Sequence, residues 1–183
     1  MRIYFSGAHS VGKSTLARHV SETYKLPFLP EVARTVLSER ELQVDSLRSD
    51  INLVDSYQSE VFYRQIEEEE KLVSFVSDRS LIDCVAYSAS HSRVAAQLVA
   101  DPMFNIYVEN IKKDDAILFF VNPSPATLKN DGVREQVSWD GITSINAQIK
   151  LLLELYSIKY FQINTDSMQE RVRYIDNVIG MPK

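Results

Sequence analysis

Apolar residues along this chain follow two patterns: short unbroken runs, and longer stretches where they recur every three or four positions. The first marks a strand buried on both faces, the second a helix with one apolar stripe. Arg2-Ile3-Tyr4-Phe5-Ser6 is the first run, and Lys13 to Tyr24 follows with Leu16, Val20 and Tyr24 at helical spacing. Leu26 to Leu29, with Pro27 and Pro30 at its margins, reads as a short strand near a sheet edge, because proline cannot donate to a ladder. Helix is expected from Glu31 to about Arg40, and again over the long amphipathic segment from Leu47 to Leu72. That segment closes on Glu67-Glu68-Glu69-Glu70, four acids that at helical spacing point around the cylinder and so predict a solvated face rather than a metal site.

Val73-Ser74-Phe75-Val76-Ser77 is the next buried strand and ends on Asp78-Arg79. Leu81 to Ser90 returns to helix, and Val94 to Ile111 continues in helical pattern around Asp101-Pro102. The most apolar strand, Ala116 to Val121, stops at Asn122-Pro123. The polar stretch 124–141 has no hydrophobic period and is expected to form a mobile lid. Ile142 to Tyr156 is helical, Tyr160 to Ile163 is the last strand, and Met168 to Val178 is the closing helix. Strands separated by helices imply an α/β fold, a parallel sheet with helices on both faces. Ligands on such sheets sit beyond the C-terminal strand ends.

Composition narrows the classes. With 183 residues, 45% of them hydrophobic, and neither repeats nor a low-complexity linker, one domain over residues 1–183 is expected. A net charge of −5 argues against a surface devoted to nucleic acid. Cys84 is the single cysteine, which excludes intrachain disulfides and thiolate zinc sites and suggests a reducing, cytoplasmic setting. The N-terminus enters the first strand directly, so no signal peptide is expected, and no apolar run approaches the ~18 residues of a membrane span.

Between the first strand and first helix lies Gly7-Ala8-His9-Ser10-Val11-Gly12-Lys13-Ser14, followed by Thr15. It matches the phosphate-binding pattern G-x-x-x-x-G-K-[ST] at every fixed position and sits between strand and helix, as the physics requires. Glycines let the backbone turn its N–H groups toward phosphate oxygens, and the helix N-terminus adds partial positive charge. Lys13 would reach the β- and γ-phosphates of ATP, and the Ser14 hydroxyl would help hold Mg²⁺. The chain has no N-K-x-D motif for guanine, and the strand ending at Asp78 lacks the paired acids of most motor ATPases. A small phosphotransferase is left as the leading class.

Gly7 to Ser14, Glu31-Val32-Ala33-Arg34, Asp78-Arg79-Ser80-Leu81-Ile82-Asp83 with Ala86-Tyr87, and Asp131-Gly132-Val133-Arg134 form an ordered set. Together they resemble the small P-loop kinase family that includes bacterial nicotinamide riboside kinase domains and phage-encoded nucleotide kinase-like proteins. Asp78-Arg79-Ser80 is also similar to the acid–Arg pair of deoxynucleoside and thymidylate kinases. The resemblance implies a P-loop NTPase three-layer sandwich on about five parallel strands, with transfer from ATP–Mg²⁺ to a nucleoside-like acceptor.

Roles follow, each beside a plainer reading. Asp78 would take the proton of an acceptor hydroxyl or hold Mg²⁺ through water; otherwise it caps a helix or partners Arg79. Arg79 would clamp an oxyanion or serve in an ordinary salt bridge. Glu31 and Arg34 share a helix face and in the family would line the acceptor pocket; the alternative is an exposed ion pair. Asp83 would orient Arg79 or touch the acceptor. Tyr87 holds a family position for stacking on a base, whereas Tyr57 and Trp139 have only their rings in favour. Arg134, in the lid beside Lys129, would swing over the transferring phosphoryl group. His9 is at a variable loop position; His19 and His91 are expected at the surface.

The leading expectation is an ATP-dependent kinase for a nucleoside or nucleoside monophosphate, with single acid and sparse arginines leaning toward a hydroxyl acceptor. A kinase acting on DNA, at a modified base or strand end, is the alternative, with Lys112-Lys113 and Lys129 with Arg134 as candidate basic patches. A nucleotide-binding switch without turnover comes third.

Overall fold

The computed structural model describes residues 1–42, 49–125 and 138–181. In chain order these carry β1 (Arg2–Ser6), α1 (Lys13–Tyr24), β2 (Phe28–Leu29), α2 (Val32–Glu39), α3 (Ile51–Glu70), β3 (Phe75–Asp78) and α4 (Leu81–His91). α5 (Ala95–Ala100), α6 (Pro102–Ile111), β4 (Ala116–Val121), α7 (Trp139–Leu155), β5 (Phe161–Ile163) and α8 (Met168–Ile179) complete the set. All pairings are parallel, and the sheet runs β2-β3-β1-β4-β5 with helices on both faces, the expected three-layer α/β sandwich. β2 is the edge strand its prolines predicted.

The central strands are buried along nearly their whole length: Ile3, Tyr4 and Phe5 in β1 and Leu118 to Val121 in β4 are all within 2% of full burial. Strands this apolar are stable only with both faces out of water, and the flanking helices cover them. From β1 the chain runs to β2 on one side of the sheet, and after β3 it crosses past β1 to β4 on the other. That is the topological switch point, where a crevice opens beyond the strand ends.

Several boundaries depart from the sequence expectations. Val73 is 91% exposed and lies before β3, which begins only at Phe75. The stretch from Val94 to Ile111 is two helices, because Asp101 turns extended (ψ 131°) and caps the second through Met103 N with Pro102 at its first turn. α3 starts at Ile51, capped by Asp50, while the lead-in expected over Leu47 and Arg48 lies outside the described residues. The last residues of the expected lid, from Trp139, already belong to α7, whose cap is Ser138; residues 126–137 lie outside the described residues. Of the four acids ending α3, Glu69 is buried, against the expected solvated face. Among the described residues no helix is long and apolar enough to cross a membrane.

Candidate functional site

The loop after β1 holds backbone conformations that suit glycine. Gly7 has φ 140°, and a Cβ there would meet the Val121 carbonyl oxygen at 2.5 Å, so any side chain would push β1 from β4. Gly12, φ 94°, closes the loop as the cap of α1, and Ser10 also adopts positive φ. The loop is tied to the helices α4 and α7 beside it. Gly7 N donates to Asp83 Oδ1 (2.9 Å), Ala8 N to Asn146 Oδ1 (3.1 Å) and His9 N to the Tyr87 hydroxyl (2.8 Å). Lys13 Nζ folds inward onto the Ala8 carbonyl at 2.6 Å. Burial, then Arg79, push its ammonium down to about 8 against the pull of Asp78, Asp83 and Glu31. A desolvated cation whose one hydrogen bond among the described residues is to a carbonyl fits a polyphosphate chain, and Ser14 and Thr15 stand exposed.

β3 delivers Asp78 beside the loop, in register with Phe5 of β1. Asp78 is 4% exposed, and among the described residues its carboxylate makes no hydrogen bond or ion pair. Arg79 follows with φ 118°, a region an arginine enters only under strain worth ~1–3 kcal/mol. Its guanidinium is buried: Nε and Nη2 reach Glu31 Oε1 at 2.8 and 2.7 Å, Nη1 faces Asp83 Oδ1 at 4.0 Å, and the plane lies 4.5 Å from the Tyr87 ring centroid. Although burial works against the charge, Tyr87, Glu31, Asp83 and Asp78 hold Arg79 well above its ordinary range. Burial likewise opposes Glu31, yet Arg79, Lys13 and Arg34 hold it down at about 2.

Beyond Arg79 opens a cavity of about 440 Å³, within the range of small-molecule sites. Glu31, Arg79 and Tyr87 form its polar end; Leu37, Val54 and Tyr57 belong to its apolar wall. Tyr57 is fixed there by its hydroxyl, which donates to the Ala33 carbonyl at 2.8 Å.

The structure thus brings Lys13, Asp78, Arg79, Asp83, Glu31 and Tyr87 together around loop and cavity. Asp83 spends its oxygens on Ser6 Oγ, Gly7 N and the Ser80 N and Oγ, so it knits the loop to the start of α4. Arg34 pairs with Glu31 Oε2 at 2.7 Å with its side chain 62% exposed. Trp139 stands 40% exposed at the first turn of α7. Arg134 and Lys129 lie outside the described residues. His91 is exposed, while His19 is half-buried near Asp176. Among the described residues no His, Cys, Asp and Glu cluster could hold a metal by itself, so Mg²⁺ here would depend on phosphate oxygens besides Ser14 and Asp78.

Two contributors escaped the sequence reading. Arg171 of α8 is fully buried; its Nη1 donates to the Val11 carbonyl and its Nε to the Thr165 carbonyl, both at 2.6 Å. Asn146 of α7 accepts from Ala8 N and donates its Nδ2 to Asn122 Oδ1 at 3.1 Å, and Asn122 Nδ2 in turn donates to Asn164 Oδ1. The signal was present: Arg171 shares a stripe with Ile175 and Val178, Asn146 with Ile142 and Ile149. A polar residue in an apolar stripe is buried and must be bonded.

A parallel sheet with a glycine-bounded loop, buried lysine and helix N-terminus at its switch point defines a nucleotide-binding P-loop domain. A family model described as an AAA domain matches residues 2–171, and the chain belongs to that family. Comparison with curated protein sequences gave no match. Among solved structures the chain is similar to NadR protein in complex with NR (TM-score 0.77, 14% identity, 99% of this chain and 52% of that one). It is similar also to deoxyadenosine kinase from M. mycoides with dCMP and dCDP bound (TM-score 0.66, 16% identity, 98% of each chain). Shikimate kinase from Acinetobacter baumannii in complex with shikimate gives a TM-score of 0.57 at 14% identity over 97% of this chain and 92% of that one. The chain spans about half the length of the NadR protein, and at these identities the likeness is one of fold.

Proposed function

We propose that this chain is an ATP- and Mg²⁺-dependent kinase whose acceptor is a hydroxyl of a nucleoside-like molecule seated in the 440 Å³ cavity. The observation that carries this reading is Asp78: a buried carboxylate without a hydrogen bond among the described residues, near enough to the loop lysine and to the cavity-lining Arg79 to act on both their charges. A general base needs an unengaged acceptor oxygen at the reacting hydroxyl, and Asp78 offers one. The acceptor oxygen forms its bond to the γ-phosphorus as the bond to the ADP oxygen breaks, and the hydroxyl proton passes to Asp78 and then to solvent. Arg79 is already neutralised by Glu31, with Asp83 behind it, which favours an uncharged acceptor group over a monophosphate. Tyr87 and Tyr57 supply faces for a planar ring. Mg²⁺, held with the help of Ser14 and Asp78, would offset charge on the phosphates. Arg134 is proposed to add a cation from the lid.

The test is ADP release from ATP–Mg²⁺ across nucleosides, nucleoside monophosphates, nicotinamide riboside and DNA oligomers, with Lys13→Ala as blank. A nucleoside should stimulate release, and Asp78→Asn should cut kcat by about a hundredfold or more with ATP affinity kept. Stimulation only by monophosphates, or an active Asp78→Asn enzyme, would contradict the assignment.

A further inference from the structure

The last turn of α3 turns one of its four acids inward. Glu69 lies under β1 and β3 beside a second cavity of about 190 Å³, away from the loop, and is 8% exposed. Its Oε2 accepts from the Tyr4 hydroxyl at 3.0 Å, and its Oε1 from Gln65 Nε2 at 2.8 Å and the Tyr107 hydroxyl at 3.1 Å. Two of these partners reach onward. Gln65 Nε2 also donates to Ser77 Oγ at 3.3 Å, on the residue before Asp78. The Tyr107 oxygen accepts the Leu81 N–H at 3.1 Å, two residues after Arg79. Between these two tethers lies the strained backbone of Arg79, at φ 118°.

We propose that Glu69 is a positioning residue: through Gln65 and Tyr107 its carboxylate fixes both flanks of the Asp78–Arg79 pair. This rests on the reading of that pair as the reacting centre. Strained conformations persist only where their surroundings over-determine them, and the tethers on either side supply that constraint. The carboxylate matters because Tyr107 has one proton. Tyr107 receives Leu81 N–H and must give its own proton away, and an ionised Glu69 accepts it together with those of Gln65 and Tyr4. A protonated Glu69 brings a hydrogen of its own to a carboxyl where three donors already converge, and one of those bonds has to give way.

The charge state changes near neutrality. Burial raises the Glu69 carboxyl to about 7 against the opposing hydrogen bonds of Gln65, Tyr4 and Tyr107 and the charge of Arg2. Those groups face it from α3, β1 and α6; Arg2 itself is held by Asp115 and the Asn110 carbonyl, and β3 contributes the apolar Phe75. The tethers therefore tighten as pH rises through that point.

The experiment is a ¹⁵N NMR pH titration of wild type and Glu69→Gln, following the Leu81 amide and the Arg79 Nε–H, beside the transfer assay. In wild type both signals should move with a midpoint near 7, where Glu69 titrates, and in Glu69→Gln neither should. In the assay kcat should fall about tenfold or more in Glu69→Gln, with KM for ATP little changed. Tyr107→Phe should reproduce the kcat loss, and stands in if Glu69→Gln does not fold. Signals at Arg79 and Leu81 that ignore pH and match between variants would overturn the proposal, even if Glu69→Gln lowered the melting temperature. Titrating signals in a protein that phosphorylates no acceptor would sustain the linkage and sink the kinase reading instead.

Discussion

Replacing Glu31 by glutamine tests whether the site's central cation is held by charge. The side chain of Arg79 is 7% exposed and that of Glu31 16%, so the pair is shielded from water on both sides. Glutamine keeps the shape and one accepting oxygen but removes the negative charge, leaving Arg79 with Asp83 at 4.0 Å and the Tyr87 face. Glu31 sits at about 2 against an ordinary 4.5, and that gap corresponds to about 3 kcal/mol of preference for the ionised form. Breaking a buried pair from one side costs about 3–5 kcal/mol, and Asp83 offsets part of it, so about 2–3 kcal/mol is expected. For a chain of this size that lowers Tm by about 5–10 °C. The sign with pH follows: a carboxyl depressed in the folded state stabilises above its unfolded value and loses that contribution as pH falls. The difference between wild type and Glu31→Gln should be full at pH 7 and shrink between pH 4.5 and 2. Urea melts of both proteins at neutral pH and at successive steps below 4.5 would show it. Equal stabilities at pH 7, or a difference that grows on acidification, would refute the reasoning.

Lys13→Met should abolish ATP binding yet raise the melting temperature of the ligand-free protein by several degrees, since a buried ammonium lowered to about 8 opposes folding at neutral pH. The advantage should diminish as pH rises from about 8 toward 10.5, where the wild-type lysine loses its proton in both states; calorimetry across that window checks it. Arg171→Leu removes the donor on the Val11 and Thr165 carbonyls and should weaken ATP binding about tenfold while lowering Tm, by titration calorimetry and thermal melts. Unchanged affinity would show that the loop needs no support from α8.

The sheet was legible because parallel strands buried on both faces have to be continuous apolar runs, and Ile3 to Phe5 and Ile117 to Val121 are. The loop was legible because backbone geometry demands glycine at Gly7 and Gly12 whatever surrounds them. What stayed hidden depends on helix phase and distant partners. Glu69 looked like one of four solvated acids, yet with Phe62, Gln65 and Ile66 it completes the inward stripe of α3. Asp83, expected to orient Arg79 or touch the acceptor, also bonds Ser6 at the end of β1 and Gly7 at the start of the loop, 77 and 76 residues earlier, and no local pattern announces those bonds. Positive φ at Arg79 is likewise a consequence of tertiary constraint, invisible in the residue type.

The charges gathered at the site set a last requirement. Lys13, Arg79 and the loop-bound Arg171 contribute three positive formal charges, and Glu31, Asp78 and Asp83 three negative ones, so the set carries 3 − 3 = 0. Every one of these groups is buried or nearly so, where charge is poorly screened. A nucleoside triphosphate therefore enters a site whose side chains are not net positive, and loop amides with a helix N-terminus supply only about half an elementary charge. Attraction has to come from a divalent cation travelling with the phosphates. ATP affinity measured by calorimetry should fall about tenfold or more when Mg²⁺ is replaced by EDTA, which is roughly 1.4 kcal/mol or more. Glu31→Gln should lessen that dependence by removing one negative charge next to Arg79. If ATP bound equally well in EDTA, Lys13 and the loop amides would suffice alone, and the electrostatic account of the site would be wrong.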